Sequence, residues 1–364
     1  MAYRLRIAGA VSVLVLVAAT AFAAWYSSDQ AVQVVHYGAG EVSVLAVGNG
    51  TVTLTETAAT GRPGVYWLEW TGSHTMLGDI VSRAPGRVTR RQVGGTTPSV
   101  GNSGYFGNAP PGDPKVAWGV DYSEIMVMTE LGPAPAWYVP GDSDTWVIAV
   151  HGRNGRRKAE LKPLPVVHRL GLPFLVISYR NDEGAPASPD GLLHLGDSEW
   201  RDLESAVRTA QRMGARRIVL YGTSMGGQLV GQFLDRSPLA TAVHSVIMDS
   251  PVTEMVRAGR QGAAVHHMPS FMAWLADRVT GWRTGVDLER LDLLARPPKV
   301  RPPMLLIHTR DDEEMPVQAA RDLAAAGRWP IQYEEFARGG HTEAWNGDRA
   351  RYDRLVHAFL AKAA

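Results

Sequence analysis

The apolar run Ile218-Val219-Leu220-Tyr221 leads straight into Gly222-Thr223-Ser224-Met225-Gly226-Gly227. A serine with glycine two residues to either side, after a strand and before a helix, is a nucleophile on a sharp bend. A strained serine presses its neighbours at minus two and plus two together, and a Cβ at either place would clash. The helix that begins just behind it aims its positive end at the hydroxyl. A serine hydroxyl is a weak nucleophile at neutral pH, so it needs a base, and the base needs an orienting carboxylate. Of 11 histidines, His341 stands in Gly339-Gly340-His341-Thr342-Glu343, just past the last strand-like segment, where a loop can return to the nucleophile. The acid is expected after the strand-like Met304–His308, in Thr309-Arg310-Asp311-Asp312-Glu313-Glu314. Asp312 is the first choice, because Met315-Pro316 should open the next helix at a fixed distance behind it. Asp311 is the runner-up, and Asp249, after Ser245–Met248, is a third candidate whose plainer role is capping.

Acyl transfer through such a serine also needs two backbone donors for the oxyanion. The N–H of Met225, next to the nucleophile, supplies one. The other is expected from the loop after Trp146–Val150, which reads His151-Gly152-Arg153-Asn154-Gly155, with the N–H of Arg153 as the donor. His151 is read as holding that loop rather than reacting. Arg153 and Arg180 together suggest an entrance that favours an anionic substrate. The pair His266-His267 has no acid at ligand spacing and is rejected as a metal site.

These residues need a frame. Short apolar runs at 125–129, 136–139, 146–150, 174–178, 217–221, 245–248, 304–308 and 331–336 alternate with helical segments such as 198–214 and 317–325. Most of the runs from 146 to 308 are continuously apolar, as strands covered on both faces must be, which predicts a mostly parallel sheet between helices. Residues 252–300 interrupt the alternation with a mostly helical insertion carrying Met268, Phe271, Met272, Trp274, Leu275 and Trp282. It reads equally as a cap that shapes an acyl pocket and as an ordinary packed pair. Residues 27–118 read as irregular β structure: a hairpin about Gly48-Asn49-Gly50, strands near 65–70 and 87–89, and a Gly/Pro-rich connector from Gly94 to Asp113.

The N-terminus sets the compartment. Arg4 and Arg6 precede a charge-free run from Ile7 to Tyr26, as a helix roughly 30 Å long and enough to cross a bilayer. The basic flank favours a cytoplasmic N-terminus with the rest of the chain translocated. Residues 1–26 are therefore expected to be an uncleaved anchor. The alternative is a secretion signal cut after Ala21-Phe22-Ala23. Composition excludes other classes. Lys plus Arg number 37 against 36 acids, so nothing favours nucleic acid, and the absence of cysteine removes thiolate metal sites, disulfides and cysteine nucleophiles.

With these pieces in place, residues 119–364 resemble the α/β-hydrolase fold, within it the serine-hydrolase branch that includes membrane-tethered Bem46-like proteins. The resemblance rests on His151-Gly152 after one strand, Tyr179-Arg180 after the next, the Gly222–Gly227 segment, Asp312 before Met315-Pro316, and Gly340-His341. It implies an eight-stranded, mostly parallel sheet, a Ser224–His341–Asp312 triad and no cofactor. The expected activity is hydrolysis of a small-molecule carboxylic ester through an acyl-enzyme. A serine peptidase of the prolyl-oligopeptidase kind, an acyltransferase, or a non-catalytic binding protein that keeps the fold are the alternatives. A full β-propeller does not fit between residues 27 and 118.

Overall fold

The charge-free N-terminal run lies in one long helix of the computed structural model, α1 (Ala2–Val32). The structure describes residues 2–35, 41–265 and 267–363; His266 of the rejected histidine pair lies outside them. The helix does not stop at the expected boundary near Tyr26. Ala24, Ser28 and Val32, spaced four apart on one face, are buried against the body, and no breaker intervenes between Ser27 and Val32.

Six strands follow: β1 (Glu41–Gly48), β2 (Thr51–Thr55), β3 (Tyr66–Trp70), β4 (Ser73–Ala84), β5 (Arg87–Gly95) and β6 (Ser103–Gly107). They pair antiparallel in the order β1-β2-β5-β4-β3-β6 and close as β6 returns to β1. Closure removes both sheet edges. This barrel corrects the expectation of irregular β structure, and β6 lies inside the stretch expected to be a connector. Alternation in β2 turns Val52 and Leu54 inward to meet Val44, Leu68, Leu77 and Phe106. Arg90 is fully buried, and its guanidinium donates to the carbonyls of Thr60, Arg62, Gly64 and Gly78, tying loops to the barrel wall.

After α2 (Pro114–Trp118), capped by Asp113, the second sheet begins. Its strands are β7 (Ser123–Thr129), β8 (Gly132–Val139), β9 (Thr145–Val150), β10 (Phe174–Ile177), β11 (Arg217–Thr223), β12 (Val243–Asp249), β13 (Met304–Thr309) and β14 (Ile331–Phe336). The order is β7-β8-β10-β9-β11-β12-β13-β14, antiparallel through β7, β8 and β10 and parallel from there on. Each apolar run read from the sequence is one of these strands. Around the sheet lie α3 (Leu164–Arg169), α4 (Trp200–Arg212), α5 (Met225–Arg236), α6 (Met255–Val265), α7 (Ser270–Thr284), α8 (Val317–Ala325), α9 (Ala344–Gly347) and α10 (Arg349–Leu360). One face of the sheet is packed by Leu203, Val207, Leu229 and Phe233, the other by Val167, Trp345, Tyr352 and Val356. Parallel strands all end on the same side, so the loops after β9, β11, β12, β13 and β14 gather along one edge.

Candidate active site

Ser224 sits between β11 and α5 with φ 51° and ψ −121°, a conformation side chains rarely adopt. The bend is tight enough that a Cβ on Gly222 would lie 2.7 Å from the Gly226 carbonyl oxygen, and one on Gly226 would overlap the carbonyl oxygen of Val150. Backbone bonds fix the bend: Ser224 N–H donates to Asp249 O (3.0 Å), and Ser224 O accepts from Gly227 (3.0 Å) and Val252 (3.1 Å).

The loop after β14 brings the His341 Nε2 to 2.8 Å from Ser224 Oγ, and its Nδ1 to 2.8 Å from Asp312 Oδ2. Of the three acids weighed, only Asp312 meets the histidine. Asp311 is exposed on the cleft wall, and Asp249 accepts from Ser250 and Tyr352 beneath the site. Asp312 Oδ1 accepts from the N–H groups of Glu314 and Met315 at 3.0 and 2.8 Å. Burial alone would raise its carboxyl, but hydrogen bonds and charge from His308 and His341 hold it well below the usual carboxylate range. Burial likewise works to lower the His341 imidazole, and the bond to Asp312 together with its charge outweighs that and raises it. No local pattern singles out His308, which stands in β13 four residues before the acid. Its Nε2 lies 3.3 Å from Asp312 Oδ2, and it is buried.

The loop after β9 covers Ser224, with Gly152 so close that a Cβ there would stand 2.7 Å from Ser224 Cβ. The Gly152 carbonyl is pinned inward by Tyr179 OH (2.8 Å), Gly155 N–H (3.1 Å) and His151 Nδ1 (2.9 Å). In a trans peptide the next N–H points the opposite way, which turns the Arg153 donor away from those three groups. Met225 opens α5, so its N–H is among the helix's unpaired first donors. His151 is fully buried. Burial works to lower its imidazole, but the Asp182 carboxylate, 2.9 Å from Nε2, outweighs it and raises it. The expected entrance of two arginines is not there. Arg180 is buried against Asp202 and Glu130, and the Arg153 guanidinium turns to the carbonyl of Gln30 at the end of α1.

The barrel reaches into the site as well. Arg62 Nη1 and Tyr66 OH donate to the two oxygens of Glu343 (2.8 and 2.9 Å), and Glu343 also accepts from Gly340 N–H (2.8 Å). The histidine loop is thus held from the barrel side, while Lys162 Nζ donates to Thr342 O from below (2.6 Å). Between barrel and sheet opens a cleft of about 620 Å³ with His341, Arg62, Phe106, Asn108, Glu313 and Arg338 on its walls.

Under the bend, buried Glu160 accepts from Thr223 Oγ1 (2.6 Å), and burial pushes its carboxyl up to about 8 against the charges of His151 and Lys162. An acid whose folded pKa is raised stabilises the fold below its unfolded value and loses that stabilisation as pH climbs through the folded one. Between pH 4.5 and 8 the wild type is therefore expected to lose on the order of a few kcal/mol that Glu160→Gln keeps. Thermal unfolding at pH 5 and pH 8 checks this: the variant should gain on the wild type as pH rises, and parallel losses would refute it.

A profile of the prolyl oligopeptidase family matches residues 182–364, half of the chain and the half that carries Ser224, Asp312 and His341. The chain belongs to the prolyl oligopeptidase family. A second profile, Domain of unknown function (DUF8805), matches residues 43–107, the barrel. A Mycobacterium tuberculosis protein, described as uncharacterized, is 28% identical over 250 residues, 66% of this chain and 80% of that protein. Among solved structures, an esterase from Pyrococcus furiosus superposes with a TM-score of 0.55 at 19% identity, covering 70% of this chain and 95% of the esterase. Mouse alpha/beta hydrolase domain-containing protein 10 does so with 0.52 at 17%, covering 67% and 100%. This prolyl oligopeptidase family member has the α/β-hydrolase fold and is a serine hydrolase. The likenesses do not single out the Bem46-like branch.

Proposed function

We propose that this chain hydrolyses carboxylic esters through an acyl-enzyme, with Ser224 as nucleophile, His341 as base and Asp312 holding His341. The observation that carries the reading is the continuous 2.8 Å relay from Asp312 through His341 to Ser224 Oγ at the bend. Ser224 Oγ attacks the ester carbonyl as its proton passes to His341 Nε2. The oxyanion is held by the N–H groups of Met225 and Arg153, and the alkoxide leaves with the proton from His341. Water, deprotonated by the same nitrogen, then releases the acid and restores Ser224. The ester class is supported by the cleft beside His341 and by the esterase among the structural likenesses.

Family membership favours a second reading, a serine peptidase. A panel of p-nitrophenyl esters against peptide anilides separates the two, with a fluorophosphonate probe reporting on Ser224 in parallel. Faster turnover of the esters and labelling of Ser224 is the expected result; preferred cleavage of the anilides would replace the ester reading with the peptidase one.

We read α1 as an uncleaved membrane anchor with the hydrolase on the extracytoplasmic side. Among the described residues one helix is long and apolar enough to cross a bilayer, and Arg4 and Arg6 precede its apolar stretch. The bond a signal peptidase would cut, after Ala23, lies within the helix, and Ala24 is fully buried.

A further inference from the structure

Helix α7 packs across the last turns of α1. Trp282 meets Trp25 edge to face with ring centres 6.1 Å apart, and the Arg283 guanidinium lies 4.3 Å from the Trp25 ring while pairing with Asp29 at 2.8 Å. Yet the side of α7 turned away from the body carries Phe271, Trp274, Arg278 and Trp282, all exposed, at spacings of three, four and four that place them on one stripe. Trp282 is 76% exposed, Phe271 57% and Trp274 55%, an unusual concentration of large apolar surface for a face in water. The Arg278 guanidinium lies 5.6 Å from the Trp274 ring, a basic group among aromatics as at a lipid headgroup layer.

Length says what covers this stripe. Ala10 to Ala19 of α1 are exposed throughout, and contact with the body starts at Thr20. Even counted from Ile7, the charge-free helix ahead of that contact rises only ~20 Å, against a hydrocarbon core of ~30 Å. To span, α1 must sink until the turns around Phe22, Trp25 and Tyr26 enter the bilayer boundary, and α7, packed on those turns, goes down with them. From this we infer that the Phe271–Trp274–Arg278–Trp282 face of α7 is a docking surface for a phospholipid bilayer, seating the active site on the membrane.

The site is coupled to that surface by short connections. The segment from Ser250 to α6 leaves directly from the nucleophile, where Val252 N–H donates to Ser224 O at 3.1 Å. The chain leaving α1 is bound to the loop over Ser224: Asn154 accepts from Val35 N–H (3.1 Å) and donates to Gln33 O (3.2 Å). The substrate class that follows, resting on the ester-hydrolase reading above, is an ester carried in the bilayer, its acyl part approaching past α6 and α7.

The chain has no cysteine, so one introduced thiol takes a nitroxide label uniquely. The full chain is reconstituted into phosphatidylcholine/phosphatidylglycerol vesicles with labels at Phe271→Cys, Trp282→Cys or, as a water-facing reference on the barrel side, Val100→Cys. Labels at 271 and 282 are expected to collide with oxygen more than with a water-soluble nickel chelate, and the label at 100 the reverse. An aqueous profile at both 271 and 282 would overturn the docking surface. In the same vesicles, Phe271→Asp/Trp274→Asp/Trp282→Asp should lower hydrolysis of 4-methylumbelliferyl oleate carried in the bilayer by about tenfold or more, leaving p-nitrophenyl acetate within about twofold. Equal effects on both esters would overturn the substrate class. If the unmodified chain cleaves neither, the ester reading fails while the label result still decides the surface.

Discussion

Replacing Ser224 with alanine is expected to cut ester turnover by about 10⁵- to 10⁶-fold, some 7–8 kcal/mol of transition-state stabilisation. The variant loses the atom that would attack, and neither the aligned His341 nor the N–H groups proposed to hold the oxyanion can replace it. Folding should survive. The hydroxyl makes one side-chain bond, to His341, while the bend is held by backbone bonds to Asp249, Gly227 and Val252 that alanine leaves in place. Alanine also takes over the same positive φ at no greater cost than serine. Turnover of a p-nitrophenyl ester and the unfolding midpoint, measured on the same preparation, test both halves of the claim. An alanine variant that unfolds with the wild type and still turns over at the wild-type rate would remove Ser224 from the chemistry.

The largest stability effect is expected at Gly226. An alanine there drives its methyl into the Val150 carbonyl oxygen and close to that of His151, both backbone atoms at the end of β9. β9 is hydrogen-bonded on both sides, to β10 and β11, and α5 is buried along nearly its whole length, so neither partner yields cheaply. A loss of about 3–5 kcal/mol is expected. The control is the same substitution at Gly262 in α6, where an added Cβ meets nothing within 4 Å. There, alanine should stabilise by up to about 1 kcal/mol through helix propensity. Thermal or denaturant unfolding of the two variants beside the wild type should move the midpoints in opposite directions; a Gly226→Ala protein as stable as the wild type would show that the bend is less crowded than drawn.

Much of this frame was legible beforehand because one physical rule governs it. Strands such as β9, β11 and β13 are buried on both faces, so their apolar runs are continuous and bounded, and the loops that carry Ser224, Asp312 and His341 follow from where those runs end. The barrel was not legible as a barrel. β4 slips register against β5 at several places, which breaks the alternation that marks a strand, and β6 has only five residues, two of them glycine. Charge was a poor guide to exposure: Arg180 looked like an entrance residue and is buried in an ion pair. Contacts such as Arg62 with Glu343 join residues far apart in the chain, and no local pattern marks either end of such a pair.

That last contact bears on how the protein can be dismantled. Arg62 and Tyr66 grip the acid two positions after His341, Val65 and Asn108 bind the Asn346 amide through their carbonyls, and Trp67 stacks on Trp345 at 5.0 Å. The segment delivering the imidazole is thus splinted by another region of the polypeptide, and a shortened version beginning after the barrel would inherit the serine and the aspartate with the histidine on an unbraced arm. The two halves are mechanically one device, and swapping in a foreign barrel would have to reproduce that grip before the relay could form.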